Sequence, residues 1–248
     1  MIRAPMLRAL VDGAIAALVA PCCAVCETLL ERPLDGAVCA GCWARVARFS
    51  PPLCARCGDP LASLGTVAVP ADHCVECSVD LGPIASARAV GPFEGALADI
   101  IHACKYQRRP SVATGLGRMM RALAATWPEP IAVVVPVPLH PRRERERGFN
   151  QAALVAAALG PPVCEALTRR VHTSPQATAS GAARRANVRG AFALGRGAAG
   201  VTGRVVALVD DVLTTGATLS AAAEALLPAS PARIVALTAA RAELVRRR

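Results

Sequence analysis

The run Val205–Leu219, VVALVDDVLTTGATL, constrains the fold of this chain more than any other stretch. Val205–Val209 is apolar at every position and β-branched at three of five, the pattern of a parallel strand buried on both faces. Asp210 and Asp211 then fall at the carboxyl end of that strand, where open α/β sheets bind ligands. Thr214, Thr215, Gly216, Ala217 and Thr218 offer hydroxyls and closely spaced backbone N–H groups at a helix N-terminus, a setting that favours a phosphate. Two carboxylates beside an anion cradle suit a sugar phosphate, whose diol donates to the acids while its phosphate sits in the loop. An ordinary N-capped turn accounts for one Asp or Thr. It does not account for two acids and three threonines around a glycine.

The sequence from about Leu81 onward alternates strand and helix patterns. Ser86–Val90 and Ile131–Val135 read as strands, Glu94–Cys104 and Ser111–Trp127 as helices, the second ended by Pro128. Gly148–Gly160 reads as one helix stopped at Gly160-Pro161, Leu219–Leu227 as a helix and Ile234–Leu237 as a strand. Such alternation predicts an α/β fold with a parallel sheet flanked by helices. Aromatic residues make up only 3% of a chain that is 54% apolar, so its core must be built from valine, leucine and alanine.

Two polar segments should line the same cleft. Pro136, Val137, Pro138 and Leu139 come directly after a strand, and His140 to Gln151 continue with four arginines before Gly148. Planar guanidinium groups suit phosphate oxygens. Arg143 and Arg145 read equally well as a solvated face, whereas Arg147, Asn150 and Gln151 lie nearest the next helix and shape the cleft. The second segment, Arg169–Phe192, is basic and rich in small residues, and too long for a tight turn. Loops of that size in a compact domain are lids or disordered segments.

Nine of the eleven cysteines precede residue 80. They form four C-x-x-C pairs: Cys23/Cys26, Cys39/Cys42, Cys54/Cys57 and Cys74/Cys77. Each pair can point two thiolates at one tetrahedral ion, and the 12- and 16-residue gaps suit zinc ribbons. The simplest partition is two Cys₄ sites, pairs one with two and three with four, with a cross-braced pairing as the alternative. Such sites are structural, because four thiolates leave no open position for water. Cys22 duplicates Cys23 and leaves the register of the first pair ambiguous.

The net charge of +10 is carried by arginine, with Lys105 the only lysine. It is compatible with nucleic acid, a phosphorylated ligand or anionic lipid, and does not separate them. Leu7–Ala20 is apolar apart from Arg8, Asp12 and Gly13, too short and interrupted for a membrane span and weak as an export signal. It reads as an amphipathic helix packed on the cysteine-rich segment after it, in a cytoplasmic protein whose thiols stay reduced or bind metal.

Taken in order along nearly the whole chain, these segments resemble the ComF family, competence-associated phosphoribosyltransferase-like proteins that include GntX-type members. The likeness lies in the paired cysteines after an N-terminal helix, Cys104-Lys105-Tyr106, Val135-Pro136-Val137-Pro138-Leu139-His140-Pro141 with Arg147-Gly148-Phe149-Asn150-Gln151 beyond it, Thr173, Gln176, Arg184, Asn187 and Phe192, and the 206–218 stretch. That stretch resembles the signature by which type I phosphoribosyltransferases bind 5-phosphoribosyl 1-pyrophosphate (PRPP). The resemblance implies a double zinc ribbon over residues 1–80 and a type I phosphoribosyltransferase-like domain over 81–248. It further implies that Asp210 and Asp211 bind the ribose hydroxyls and Thr214–Thr218 the 5′-phosphate. Pro136–Leu139 would form a pyrophosphate loop, with Lys105 and Arg147 also at the ligand, Mg²⁺ bridging pyrophosphate and ribose, and 169–190 the mobile loop. Three readings result: a Mg²⁺-dependent transferase with an unidentified acceptor, a PRPP-sensing regulator, or a non-catalytic competence adaptor touching single-stranded DNA or a helicase. Against direct DNA contact, only Trp43 and Phe49 offer stacking surfaces between residues 20 and 80.

Overall fold

A computed structural model describes residues 4–61, 74, 77, 79–127, 129–171, 188 and 190–242, with side chains from residue 7 onward. The central element is a four-stranded parallel sheet of β1 (Ser86–Pro92), β2 (Val133–Pro136), β5 (Val205–Leu213) and β6 (Arg233–Arg241), in the order β1-β6-β5-β2. Successive residues of its central strands enter different cores. Val206, Leu208, Ile234 and Ala236 face one cluster, while Ala207, Val209, Val235 and Leu237 face the other.

Helices α3 (Gly95–Tyr106), α4 (Ser111–Ala124) and α6 (Gln151–Ala157) cover the second of these faces with Leu97, Ile100, Ile101, Leu116, Met120 and Val155. Helix α7 (Ala217–Leu226) covers the first with Leu219, Ala222, Ala223 and Leu226. There it is joined by a two-stranded antiparallel pair, β3 (Leu167–Arg169) and β4 (Phe192–Leu194), which the sequence patterns do not announce. Three residues per strand are too few to carry an alternation.

Several expected boundaries move, among them that of β6, which runs to Arg241 rather than Leu237. Strand β5 runs four residues past Val209, so Asp210 and Asp211 lie within it rather than beyond its end. The reason is its neighbours: β2 pairing stops at Pro136 opposite Val209, but β6 continues alongside to Arg241 opposite Leu213. The single helix expected over Gly148–Gly160 is instead two. Helix α5 (Pro141–Arg147) occupies what reads as a loop, starting at the His140 cap and Pro141 and ending at Gly148 with φ of +89°. Helix α6 then restarts at Asn150, whose Oδ1 accepts from Ala152 N at 3.0 Å. Helix α4 ends at Ala124, three residues before Trp127.

Both sheet edges are covered. The segment around Val163 bridges β2, with Val134 N donating to Pro162 O at 2.9 Å and Cys164 N to Val134 O at 2.8 Å. On the other edge, Phe49 N donates to Val90 O at 2.9 Å and Ala87 N to Arg56 O at 2.7 Å. The cysteine-rich segment thus blunts an otherwise open strand. Helix α1 (Ala4–Val19) rests on the turn at Pro33–Asp35: Asp12 Oδ1 accepts from Leu34 N at 2.9 Å, and Arg8 pairs with Asp35 at 2.7 Å. The short helix α2 (Ala40–Ala44) carries Cys42 and Trp43. Among the described residues no helix is long and apolar enough to cross a membrane.

Candidate functional site

The cysteines gather as two groups of four, Cys23/Cys26/Cys39/Cys42 and Cys54/Cys57/Cys74/Cys77, each with its sulfur atoms within 4.8 Å of one another. Zn–S bonds of about 2.3 Å place tetrahedral sulfurs about 3.8 Å apart. The observed separations fit: 3.8 Å for Cys23–Cys42, 3.6 Å for Cys26–Cys39 and for Cys57–Cys74, and 3.5 Å for Cys74–Cys77. Pairs one with two and three with four is therefore the arrangement adopted, and Cys22 stands apart, exposed. Backbone amides point at the sulfurs as zinc knuckles require: Cys39 N donates to Cys23 Sγ at 3.3 Å and Cys74 N to Cys54 Sγ at 3.4 Å. Burial pushes the Cys74 thiol up, and that of Cys57 to about 11, whereas at Cys54 the same burial is outweighed by donors from Cys57 and Cys74, which hold its thiol at about 6. A thiolate held down by backbone donors is ready for a metal.

The second concentration of polar groups lies where β5 outruns β2. Asp211 is buried on the face covered by α3 and α6. Its Oδ1 pairs with Lys105 Nζ at 2.7 Å, and its Oδ2 accepts from Gln151 Nε2 at 2.8 Å. Gln151 Oε1 in turn accepts from Arg147 Nη1, so Lys105 and the Arg147–Gln151 pair hold one carboxylate from two sides. Asn150 joins the strand-β2 loop to this group by donating from Nδ2 to Val137 O at 3.2 Å. Val137 N donates to Val209 O at 2.9 Å, which sets Pro136–Leu139 beside the aspartates.

By the alternation of the strand, Asp210 faces the opposite side of the sheet. Burial and the neighbouring Asp211 push its carboxyl up to about 7, against the opposing pull of Lys105, the Asp211 amide and Arg169. The Asp211 amide donates to Asp210 Oδ1 at 2.8 Å. Thr238, opposite Asp210 on β6, has a buried hydroxyl with no partner among the described residues. The donor and cations already near this carboxylate do not offset its burial and the charge of Asp211, and a hydrated cation or a sugar diol would add to them.

After Leu213 the chain turns through Thr214, Thr215 and Gly216 into α7. Gly216 has φ of +83°, and a Cβ there would lie 2.1 Å from Asp80 O, so this turn requires glycine. Thr215 Oγ1 accepts from Ala217 N at 3.4 Å, and Thr218 already lies in the first turn of the helix. The combination of carboxylates, a tight loop at a helix start, and Lys105 and Arg147 alongside can hold a diol at one end of a ligand and anionic groups at the other.

His140 serves as the α5 cap, its Nδ1 accepting from Arg142 N at 3.2 Å. Arg142 and Glu146 form an exposed i,i+4 pair, consistent with a solvated face for that helix. Thr173, Gln176, Arg184 and Asn187 lie outside the described residues. Asp80 and Arg241, which brace the loop, carry almost no sequence signal: one is near Cys77 and the other near a strand end, and nothing more marks them.

A model of the phosphoribosyl transferase domain matches residues 145–247, and one of the double zinc ribbon domain matches residues 14–78. The chain is 32% identical over 204 residues to DNA utilization protein YhgH of Escherichia coli strain K12, covering 77% of this chain and 84% of that protein. It is 30% identical over 211 residues to Competence protein F of Haemophilus influenzae, covering 80% and 87%. To Competence protein ComFC of Bacillus subtilis it is 28% identical over 200 residues, covering 78% and 79%.

Proposed function

We propose a function from one premise, that this chain belongs to the ComF family of phosphoribosyltransferase-like, double-zinc-ribbon proteins: the domain over residues 81–248 binds PRPP and transfers its phosphoribosyl group to an acceptor. The observation that carries this reading is the convergence of Asp210, Asp211 and the Thr214–Thr218 turn with the Pro136–Leu139 loop at the end of β2. Asp210 and Asp211 accept hydrogen bonds from the ribose hydroxyls. The amides and hydroxyls of Thr214–Thr218 take the 5′-phosphate. The Pro136–Leu139 backbone, Lys105 and Arg147 face the pyrophosphate, whose departure they favour by holding its charge.

Asp210 and Asp211 are hard oxygen donors of the kind Mg²⁺ takes, directly or through water, and the raised Asp210 carboxyl fits a nearby cation. Mg²⁺, when bound, neutralises phosphate charge as the leaving group forms. The thiol-rich ribbons over residues 1–80 suit a reducing, cytoplasmic compartment. The names of the relatives, DNA utilization and competence proteins, support a link to the uptake or use of DNA.

The test is calorimetric titration of the full chain with PRPP and Mg²⁺, and then pyrophosphate-release assays over a panel of bases and amines. PRPP binding that Asp211→Asn abolishes, with pyrophosphate released in the presence of one acceptor class, is expected. Binding without release for any acceptor transfers the assignment to a PRPP-sensing regulator. No binding at all removes the PRPP reading and leaves the adaptor that contacts single-stranded DNA or a helicase.

A further inference from the structure

The second zinc ribbon and the turn after β5 are joined at two points. At the start of the turn, Leu213 pairs with Arg241 across the sheet, and Ala242 N donates to Leu213 O at 2.9 Å. The Arg241 side chain, almost wholly buried, leaves the sheet for the ribbon: Nη1 donates to Cys57 O and Nη2 pairs with Asp59 at 2.6 Å. In the middle of the turn, Asp80 N donates to Thr215 O at 3.0 Å, and Asp80 O packs where a side chain on residue 216 would stand. Asp80 is three residues from Cys77, and its own Oδ1 accepts from Gly82 N at 3.1 Å. Leu81 and Ile84 then sink into the same core as Cys54, Cys57, Ala217 and Leu219.

We propose that the second zinc ribbon is part of the ligand site, with Asp80 and Arg241 as positioning residues for the 213–217 turn, so that zinc at Cys54, Cys57, Cys74 and Cys77 sets the affinity of that turn for the phosphate of its ligand. The four thiols come from both sides of the anchor: Cys57 supplies the carbonyl that Arg241 grips, and Cys77 leads into Asp80. Zinc draws these two points together, and without it the turn keeps its residues and loses its fixed backbone. A preorganised anion cradle binds better than a mobile one because the ordering cost is met before the ligand arrives. The first ribbon has different attachments, to β1 through Phe49 N and to α3 through Gln107, whose Nε2 donates to Ala24 O at 3.3 Å. It therefore serves as the internal control.

The inference rests on the PRPP reading, and the experiment separates the two. Full-length wild type, Cys77→Ser and Cys39→Ser are compared by metal analysis, by PRPP titration with Mg²⁺, and by amide exchange over residues 213–217. Each cysteine variant should lose one zinc of two. Cys77→Ser should weaken PRPP binding by about tenfold or more and speed exchange in the turn, while Cys39→Ser stays within about twofold in both. A Cys77→Ser protein that has lost its zinc yet binds and exchanges like wild type overturns the proposal. So does a Cys39→Ser protein that is equally impaired, since the effect is then global loosening. Arg241→Lys covers the case in which Cys77→Ser does not fold: it should keep both zincs and still weaken PRPP binding, and wild-type affinity there counts against the coupling. If wild type itself binds no PRPP, the PRPP reading fails, and the exchange comparison alone decides whether zinc fixes the turn.

Discussion

The two zinc ribbons share a chemistry and differ in what they hold. Both gather four thiols at tetrahedral spacing, and both bond to the same edge strand, β1. Yet Cys23 and Cys42 are buried with α3 and α4 on one face of the sheet, and Cys54 and Cys57 with α7 on the other. The first ribbon leans an indole, Trp43, on helix α4 at Gly115. The second grips backbone, at Leu213 through Arg241 and at Thr215 through Asp80. Identical metal sites thus become a wall in one place and a brace in another, because the chain leaves the last cysteine of each quartet toward a different neighbour.

The severest way to break the comparison is to remove both metals. In isolated zinc-finger peptides the metal supplies on the order of 10 kcal/mol of folding free energy. Here each ribbon also packs on the sheet, so loss of one metal should be tolerated and loss of both should not. Chelation at neutral pH should abolish the cooperative transition seen by scanning calorimetry, and an unchanged transition would show that the sulfur clusters are incidental. The next largest effect should separate the ribbons. Arg241→Ala removes a buried guanidinium that donates to the Cys57 carbonyl and pairs with Asp59, and should cost about 3 kcal/mol in urea unfolding. Arg45→Ala removes an exposed donor to Cys42 Sγ at 3.1 Å and should leave the urea midpoint nearly where it was.

Glycine substitutions should show the same contrast on a smaller scale. Gly216→Ala meets backbone at Asp80 O and a left-handed φ, for about 2–3 kcal/mol. Gly115→Ala meets the Trp43 ring, 2.3 Å from the new Cβ, and a partly exposed side chain can shift, for about 1 kcal/mol. Equal losses in urea unfolding would remove the distinction between brace and wall. A pH slope on the face of the second ribbon offers a separate contrast. Asp210 has its carboxyl raised to about 7, so between about 4 and 7 the folded chain holds a proton that the unfolded chain has released. Its contribution to stability is therefore fully present at acid pH and is lost as pH rises through that window. Asp210→Asn should flatten this part of the urea-midpoint profile, and if the site takes Mg²⁺ and PRPP as proposed, their binding should tighten as pH rises from about 6 to about 8.

Much of the site is legible along the chain because its signals are local. The aspartates, the threonines and Gly216 are nearly consecutive, and each C-x-x-C pair declares its own geometry. The parts without a local signal depend on distant segments. Helix α5 hides in an arginine-rich stretch because its seven residues bury none of their side chains, leaving no apolar period to detect. Strand β5 outruns its own apolar pattern because its extension is set by β6 rather than by its composition. The sequence puts Gln151 near the cleft, but its bond to Asp211 spans 60 residues and that of Arg241 to Asp59 spans 182.

The sequence by itself determined the α/β class, the two cysteine quartets and the order of acids, hydroxyls and glycine at the turn after β5. These come from strand and helix periods and from ligand spacings, which act over a few residues. Only the tertiary structure decided that the quartets lie on opposite faces of the sheet, that Lys105 and Gln151 share one carboxylate, and that the second ribbon carries the turn. Those outcomes depend on which faces of β5 and β6 are buried against which neighbours, and no local pattern encodes a choice made by packing.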